Sequence, residues 1–121
     1  MQTRGIRGAT TVPVDIKEEV LSATQELLDA ILRANPSLNA DDIASAIFTT
    51  TADVTSAYPA LAARQIGWDF VPMLCACEIP VPGSLPMCIR VLIHWNTEKE
   101  QKDIKHIYLR GAKTLRPDLV D

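Results

Sequence analysis

The chain has 121 residues, of which 47% are hydrophobic, only 5% are aromatic and 22% are charged, and its formal net charge is −3. This length predicts a single domain over residues 1–121, with a core built mainly of Val, Ile, Leu and Ala. The acidic balance argues against a general nucleic-acid surface. The opening Met-Gln-Thr-Arg-Gly lacks the apolar part of a secretory signal, and no apolar run reaches the roughly 18 residues of a membrane span, so we expect a cytoplasmic protein.

The cysteines and histidines do not form a recognisable site in the sequence. Cys75, Cys77 and Cys88 are odd in number and have no secretory context, which indicates a reducing compartment. Cys-Ala-Cys lacks CxxC spacing and no second Cys/His pair completes a tetrahedral set, so we expect neither a metal site nor a cofactor. Cys75 could be a nucleophile, but no sequence neighbour activates its thiol, which favours a packed side chain. His94 and His106 are interpreted as strand residues rather than bases.

The first predicted elements are a strand and a long helix. Residues 3–12 end in β-branched residues and predict a strand, whose two glycines indicate a bulge or a close backbone approach. Apolar residues then recur every three or four positions from Ile16 to Arg33, which predicts an amphipathic helix packed on a sheet. Asp15 with Glu18 resembles an N-terminal capping box. Asn35-Pro36 ends the helix.

A second strand, a short helix and a third strand follow. The composition of Ile43 to Thr51 predicts a strand, and residues 52–57 form a loop. Tyr58-Pro59 opens a short helix that Gly67 ends. Trp68 to Cys77 is mostly apolar, which predicts a strand that is buried on both faces or lies at a subunit contact.

An irregular proline-rich loop at 80–86 leads to the next predicted strand, Met87 to Trp95. The odd positions of this strand are all apolar and the even positions are mixed, so one face packs on the core and the other faces a cleft or an interface. His106 to Leu109 predicts a short last strand, and 111–115 a turn or short helix. The order β-α-β-α-β-β-β predicts an α+β domain with a mixed sheet of about five strands and helices on one face. The second apolar sheet face predicts an oligomer.

Arg90 interrupts this otherwise apolar strand. A guanidinium keeps its charge at neutral pH, and a buried charge without a partner is costly. The pattern leaves two alternatives open. Arg7 and Arg90 either form structural ion pairs with Glu78 or Asp118, or clamp a small molecule that carries carboxylates. In the second alternative Glu78 would accept from a hydroxyl and Tyr108 would donate to an oxygen, and catalysis would need no nucleophile or cofactor.

Several segments spread over nearly the whole chain carry a family resemblance. They are Arg-Gly-Ile-Arg-Gly-Ala-Thr-Thr-Val at 4–12, Tyr58-Pro59-Ala60 with Arg64, Gly67-Trp68, Val71-Pro72, Cys75 to Glu78, Cys88 to Val91, His106 to Leu109, and Leu115 to Leu119. In combination they resemble the monofunctional bacterial chorismate mutases of the trimeric α/β class. The resemblance implies a Claisen-type rearrangement of chorismate to prephenate in phenylalanine and tyrosine biosynthesis. It also implies a homotrimer with a central pseudo-barrel core and sites between subunits.

The resemblance further implies a role for each matched position. Arg7 would bind a substrate carboxylate with help from Tyr108. Arg90 would meet the ether oxygen, and Glu78 would hold the ring hydroxyl. The other implied substrate-binding residues are Cys75, Leu74, Tyr58, Arg64, Leu115 and Arg116. The Tyr58–Arg64 segment would face the site from a neighbouring subunit, whereas the last two residues of that set would close over it.

Two other functions stay open at this level. Trimeric α+β proteins of similar shape include small imine-hydrolysing and metabolite-binding regulators, which carry arginine-containing pockets at their subunit contacts. A purely structural oligomer is a third possibility, although it leaves the arginines in apolar surroundings unexplained. The combination of Glu78, Arg90 and Tyr108 favours the mutase, because that reaction needs a partner for a hydroxyl, an ether oxygen and a carboxylate.

Overall fold

The computed structural model describes residues 1–115. Its strands are β1 (Gln2–Thr11), β2 (Ile43–Thr50), β3 (Met73–Cys77), β4 (Cys88–Thr97) and β5 (Ile107–Tyr108), and its helices are α1 (Lys17–Ala34) and α2 (Pro59–Gln65). Short 3-10 segments lie at Ala40–Asp42, Gln101–Asp103 and Arg110–Thr114. Neither α-helix is long and apolar enough to cross a membrane.

The five strands form one mixed sheet in the order β3-β2-β4-β1-β5. The central strand, β4, is antiparallel to both of its neighbours, β1 and β2. The two edge strands are added in parallel, β3 to β2 and β5 to β1. Both helices pack their apolar residues into one core with the same side of the sheet. This arrangement confirms the predicted α+β class, the mixed sheet and the placement of the helices on one face of that sheet.

Helix α1 lies so close to β1 that the strand needs a glycine at the contact. The helix buries Val20, Leu27 and Ile31 against the sheet. A Cβ added at Gly8 would lie 2.8 Å from Ile31 Cδ1 and 3.2 Å from Leu27 Cδ1. A methyl group there would overpack the core. Gly8 is thus a position of close approach, one of the two roles predicted for glycine in this strand.

The alternation of β4 separates a core face from a second face, as the sequence predicts. Ile89, Val91, Ile93 and Trp95 are at most 3% exposed and face the helices. The residues between them point to the opposite face of the sheet, because successive strand residues alternate sides. This second face carries Arg90 and is covered by neither α-helix, although the 3-10 segment at Arg110–Thr114 packs Ala112 against Ala9 and Cys88 at one end of it.

Two local predictions are wrong. The strand predicted from Trp68 begins only at Met73, because the N–H of Trp68 is bonded to Ala63 O at 3.1 Å and its ring turns into the core. Asp15 does not cap α1, whose N-cap residue is Ile16 without a side-chain bond. The Asp15 carboxylate instead accepts four bonds of 2.7–3.1 Å from the backbone N–H groups and hydroxyls of two residues in the 52–57 loop. These bonds lower the pKa of Asp15 to about 2.

Candidate active site

Arg7, Glu78 and Arg90 lie together around a cavity of about 230 Å³ on the face of the sheet opposite the two α-helices. Arg7 on β1 pairs with Leu92 of β4, so the two arginines stand on neighbouring strands and share a face. The backbone N–H of Arg7 donates to Nδ1 of His106 at 2.9 Å. The structure therefore brings together the three residues predicted to be catalytic.

Glu78 comes directly after β3 and faces Arg90. Its N–H donates to Thr50 O at 2.8 Å, and its carboxylate accepts a hydrogen bond from the hydroxyl of Thr49. One carboxylate oxygen lies 3.7 Å from Arg90 Nε. Arg90 and Glu78 therefore form one of the ion pairs of the first alternative, although their separation is too long for a hydrogen bond. The other predicted partner, Asp118, lies outside the described residues.

Arg90 keeps unused hydrogen-bonding capacity beside this cavity. Within residues 1–115 its Nε is buried and has no hydrogen-bond partner. The side chain as a whole is 26% exposed, so the guanidinium is held in the wall of the cavity but can still be reached. A donor in such a position is available to an acceptor that enters the cavity.

Tyr108 supplies a second polar atom without a partner on the same side of the sheet. It pairs with Ala9, which in turn pairs with Arg90. The Tyr108 ring is 4% exposed, and its hydroxyl is buried without a hydrogen-bond partner in the described part of the chain. Leu85 and Leu115 pack against the cluster that this ring forms with its buried neighbours. Leu115 therefore lies near the tyrosine, while Arg116, the other residue predicted to close over the site, lies outside the described residues.

The remaining predicted site residues within the described chain do not line this smaller cavity. Tyr58 and Cys75 line a larger cavity of about 600 Å³ at the edge of the helix side of the sheet. Cys75 pairs with Phe48, a core residue, so its thiol points away from the Arg90 face. Leu74 lies on the Arg90 face and is 70% exposed. Arg64 lies in the last turn of α2 and is exposed. One protomer therefore carries two separate groups of the predicted residues.

Sequence reasoning missed Thr49, which lines the smaller cavity, and the buried position of Cys88 in the neighbouring Tyr108 cluster. Thr49 holds Glu78, and it can do so because its β2 position pairs with Arg90. Thr49 follows the buried Phe48 in β2, so the sequence places the two side chains on opposite faces of the sheet. Only the pairing of β2 with β4 shows that Thr49 lies beside Arg90. Cys88 is buried in the Tyr108 cluster, and this burial raises the pKa of its thiol. No group of three or more His, Cys, Asp or Glu with metal-binding geometry occurs in residues 1–115.

Comparison with known proteins identifies the family. The family model "Chorismate mutase type I" matches residues 3–119. The chain belongs to the chorismate mutase type I family. This membership confirms the resemblance drawn from the sequence, and with it chorismate mutase as the function of the chain.

Individual chorismate mutases agree closely with the chain over nearly its whole length. It is 56% identical over 116 residues to chorismate mutase AroH of Thermus thermophilus, which covers 96% of this chain and 95% of the relative. It is 42% identical over 120 residues to chorismate mutase AroH of Bacillus subtilis, covering 98% and 94%. The solved structure of a chorismate mutase from Clostridium thermocellum superimposes with a TM-score of 0.88 at 52% identity, covering 91% of this chain and 97% of that one.

Proposed function

We propose that this chain rearranges chorismate to prephenate by holding the substrate in a compact conformation and stabilising the charge that develops on its ether oxygen. The observation that supports this most directly is the buried Nε of Arg90, which has no hydrogen-bond partner in residues 1–115 and adjoins a cavity shared with Arg7 and Glu78. An intramolecular rearrangement makes no bond to the enzyme. It therefore requires no nucleophile or general base, but it does benefit from fixed geometry and preorganised charge.

Each polar group has a distinct task in this mechanism. Arg90 donates to the ether oxygen, which gains negative charge as its C–O bond breaks. Arg7 clamps a substrate carboxylate, and the unpartnered hydroxyl of Tyr108 donates to the same group. Glu78, already held by Thr49, accepts the hydrogen bond of the ring hydroxyl. All of these contacts suit a small dianion, and a cavity of about 230 Å³ in one protomer offers part of the space for its ring.

We also propose that the complete site forms between adjacent subunits of a homotrimer, with the Tyr58–Arg64 segment supplied by the neighbour. In one protomer this segment and Arg90 lie on different sides of the sheet, so they cannot contact the same ligand from one chain. The edge strand β3 supports an assembly, because its last four residues are exposed. So do Phe70 and Ile79, which are 97% and 80% exposed. Apolar surface of this kind favours burial between subunits.

Loss of chorismate absorbance on incubation with the purified chain tests the activity directly. We expect turnover near neutral pH in buffer containing a metal chelator and no added cofactor. Light scattering on the same sample should give the mass of three chains. No conversion of chorismate by a folded trimer would contradict the proposed mechanism, and a monomeric sample with full activity would contradict the shared site.

A further inference from the structure

The segment between Glu78 and β4 controls the surroundings of the candidate site. Residues between Ile79 and Pro86 form one wall of a cavity of about 250 Å³, and the turn at 51–53 forms much of the other wall. Leu85 in this segment packs against the cluster around Tyr108. The course of residues 79–87 therefore affects both the position of Glu78 and the cover over the tyrosine.

Asp53 binds the end of this segment through both of its carboxylate oxygens. The N–H of Met87 donates to Oδ1 and Oδ2 at 3.1 Å each. Oδ1 also accepts from the hydroxyl of Thr51 at 2.5 Å. The oxygen of that hydroxyl in turn accepts the N–H of Cys88 at 3.0 Å. One carboxylate thus fixes two successive backbone donors at the point where the segment enters β4.

Met87 needs this support because its backbone is strained. Its φ is 52°, in the left-handed region that a residue with a Cβ rarely adopts. Hydrogen bonds to a charged acceptor are stronger than those to neutral groups, and they hold the N–H of Met87 in place. Without the carboxylate, Met87 could relax to negative φ and redirect the residues before it.

Relaxation of Met87 would displace the strands of the sheet less than it would displace residues 79–87. β4 is paired on both sides, with β1 and β2, so Arg90 is held by two ladders. Glu78 follows an edge strand that is paired only with β2 among the described strands. A change in residues 79–87 would therefore displace Glu78 more than Arg90.

We propose that Asp53 is a positioning residue for the rearrangement. It keeps residues 79–87 in the course that places the Glu78 carboxylate opposite Arg90. This inference rests on the proposed function, because Asp53 does not line the cavity of Arg7, Glu78 and Arg90 and would act on the reaction only through Glu78.

The test compares Asp53→Ala and Asp53→Asn with the unaltered chain in the chorismate assay. We expect Asp53→Ala to lower kcat/KM by about 10- to 100-fold, since small misplacements in a site of this kind are costly. Asp53→Asn should lose less, because its amide oxygen still accepts the N–H of Met87. Asp41→Ala is the matched control, because this exposed acid lies before the opposite end of β2 and should leave the kinetics unchanged.

A double-mutant cycle separates positioning from a general loss of stability. In a Glu78→Ala background the Asp53→Ala change should cost little more, since residues that act as one unit give non-additive effects. Hydrogen exchange should speed up at Met87 and Cys88 in Asp53→Ala. A lower melting temperature with unchanged kinetics would overturn the proposal, as would a kinetic loss of the same size in the Glu78→Ala background.

The outcomes also distinguish this inference from the proposed function. If the unaltered chain converts no chorismate, the proposed function fails, while hydrogen exchange still measures what Asp53 holds. Unchanged exchange at Met87 in both Asp53 variants would then overturn the positioning role by itself.

Discussion

Replacing Arg90 with alanine should abolish most turnover while leaving the fold intact. A guanidinium that is 26% exposed acts in an effective dielectric of roughly 20 rather than that of dry protein. At a hydrogen-bond distance of about 3 Å it then stabilises about half a unit of developing charge by roughly 3 kcal/mol. This agrees with the ~3–4 kcal/mol lost when one oxyanion donor is removed. We therefore expect kcat to fall by about 10²- to 10³-fold.

The cost to stability should be much smaller. The pair between Arg90 and Glu78 is 3.7 Å long and partly exposed, and such pairs contribute at most about 1 kcal/mol. Initial rates from chorismate absorbance and a urea unfolding curve would measure the two effects on the same samples. Arg33→Ala removes an exposed arginine from the last turn of α1 and serves as the charge-matched control. A kcat of Arg90→Ala within tenfold of the unaltered chain would refute the electrostatic argument.

Three further outcomes follow from single side chains. Tyr108→Phe should raise the free energy of unfolding by up to about 1–3 kcal/mol, because it removes a buried hydroxyl that has no hydrogen-bond partner in the described chain. The same change should raise KM for chorismate, because that hydroxyl is proposed to donate to the substrate. A variant less stable than the unaltered chain would contradict this argument. Hydrogen bonds from Thr55 and Ser56 lower the pKa of Asp15 from its ordinary 3.8 to about 2, so its contribution to stability is complete above about pH 4 and is lost as the pH falls towards 2. Acid unfolding curves should therefore be flatter over that range in Asp15→Asn. A thiol reagent should modify the buried Cys88 only after unfolding, as mass spectrometry of the native and the unfolded protein would show.

The sequence predicted the elements that depend on local periodicity. The spacing of apolar residues in α1 and the alternation in β4 each reflect one buried face, so both could be assigned without knowing the neighbouring element. The same alternation correctly placed Arg90 on the face away from the core. The residue pattern also named Arg7, Glu78 and Tyr108 as companions of Arg90, and the resemblance to chorismate mutases implied a role for each of them.

What the sequence could not give depends on contacts between distant segments. The side of the sheet on which Cys75 points follows from its pairing with Phe48, and nothing local to Cys75 encodes that register. The local sequence of Asp15 is compatible both with capping α1 and with binding the 52–57 loop, because each role gives the carboxylate hydrogen-bond donors. Only the structure shows that the loop is its partner. Asp53 was not singled out at all, since the donor that it binds is 34 positions away.

Because the two groups of site residues lie on different sides of the sheet, two inactive variants should complement each other in a mixed assembly. In a ring of identical chains each pocket would draw on two polypeptides, so a chain lacking Arg90 and a chain lacking Arg64 would carry different defects. Neither should work alone. When the two are unfolded together and refolded as a mixture, about a quarter of the pockets would combine two intact halves. Activity would then return from two inactive parents, whereas a pocket built within one chain could never be rescued in this way.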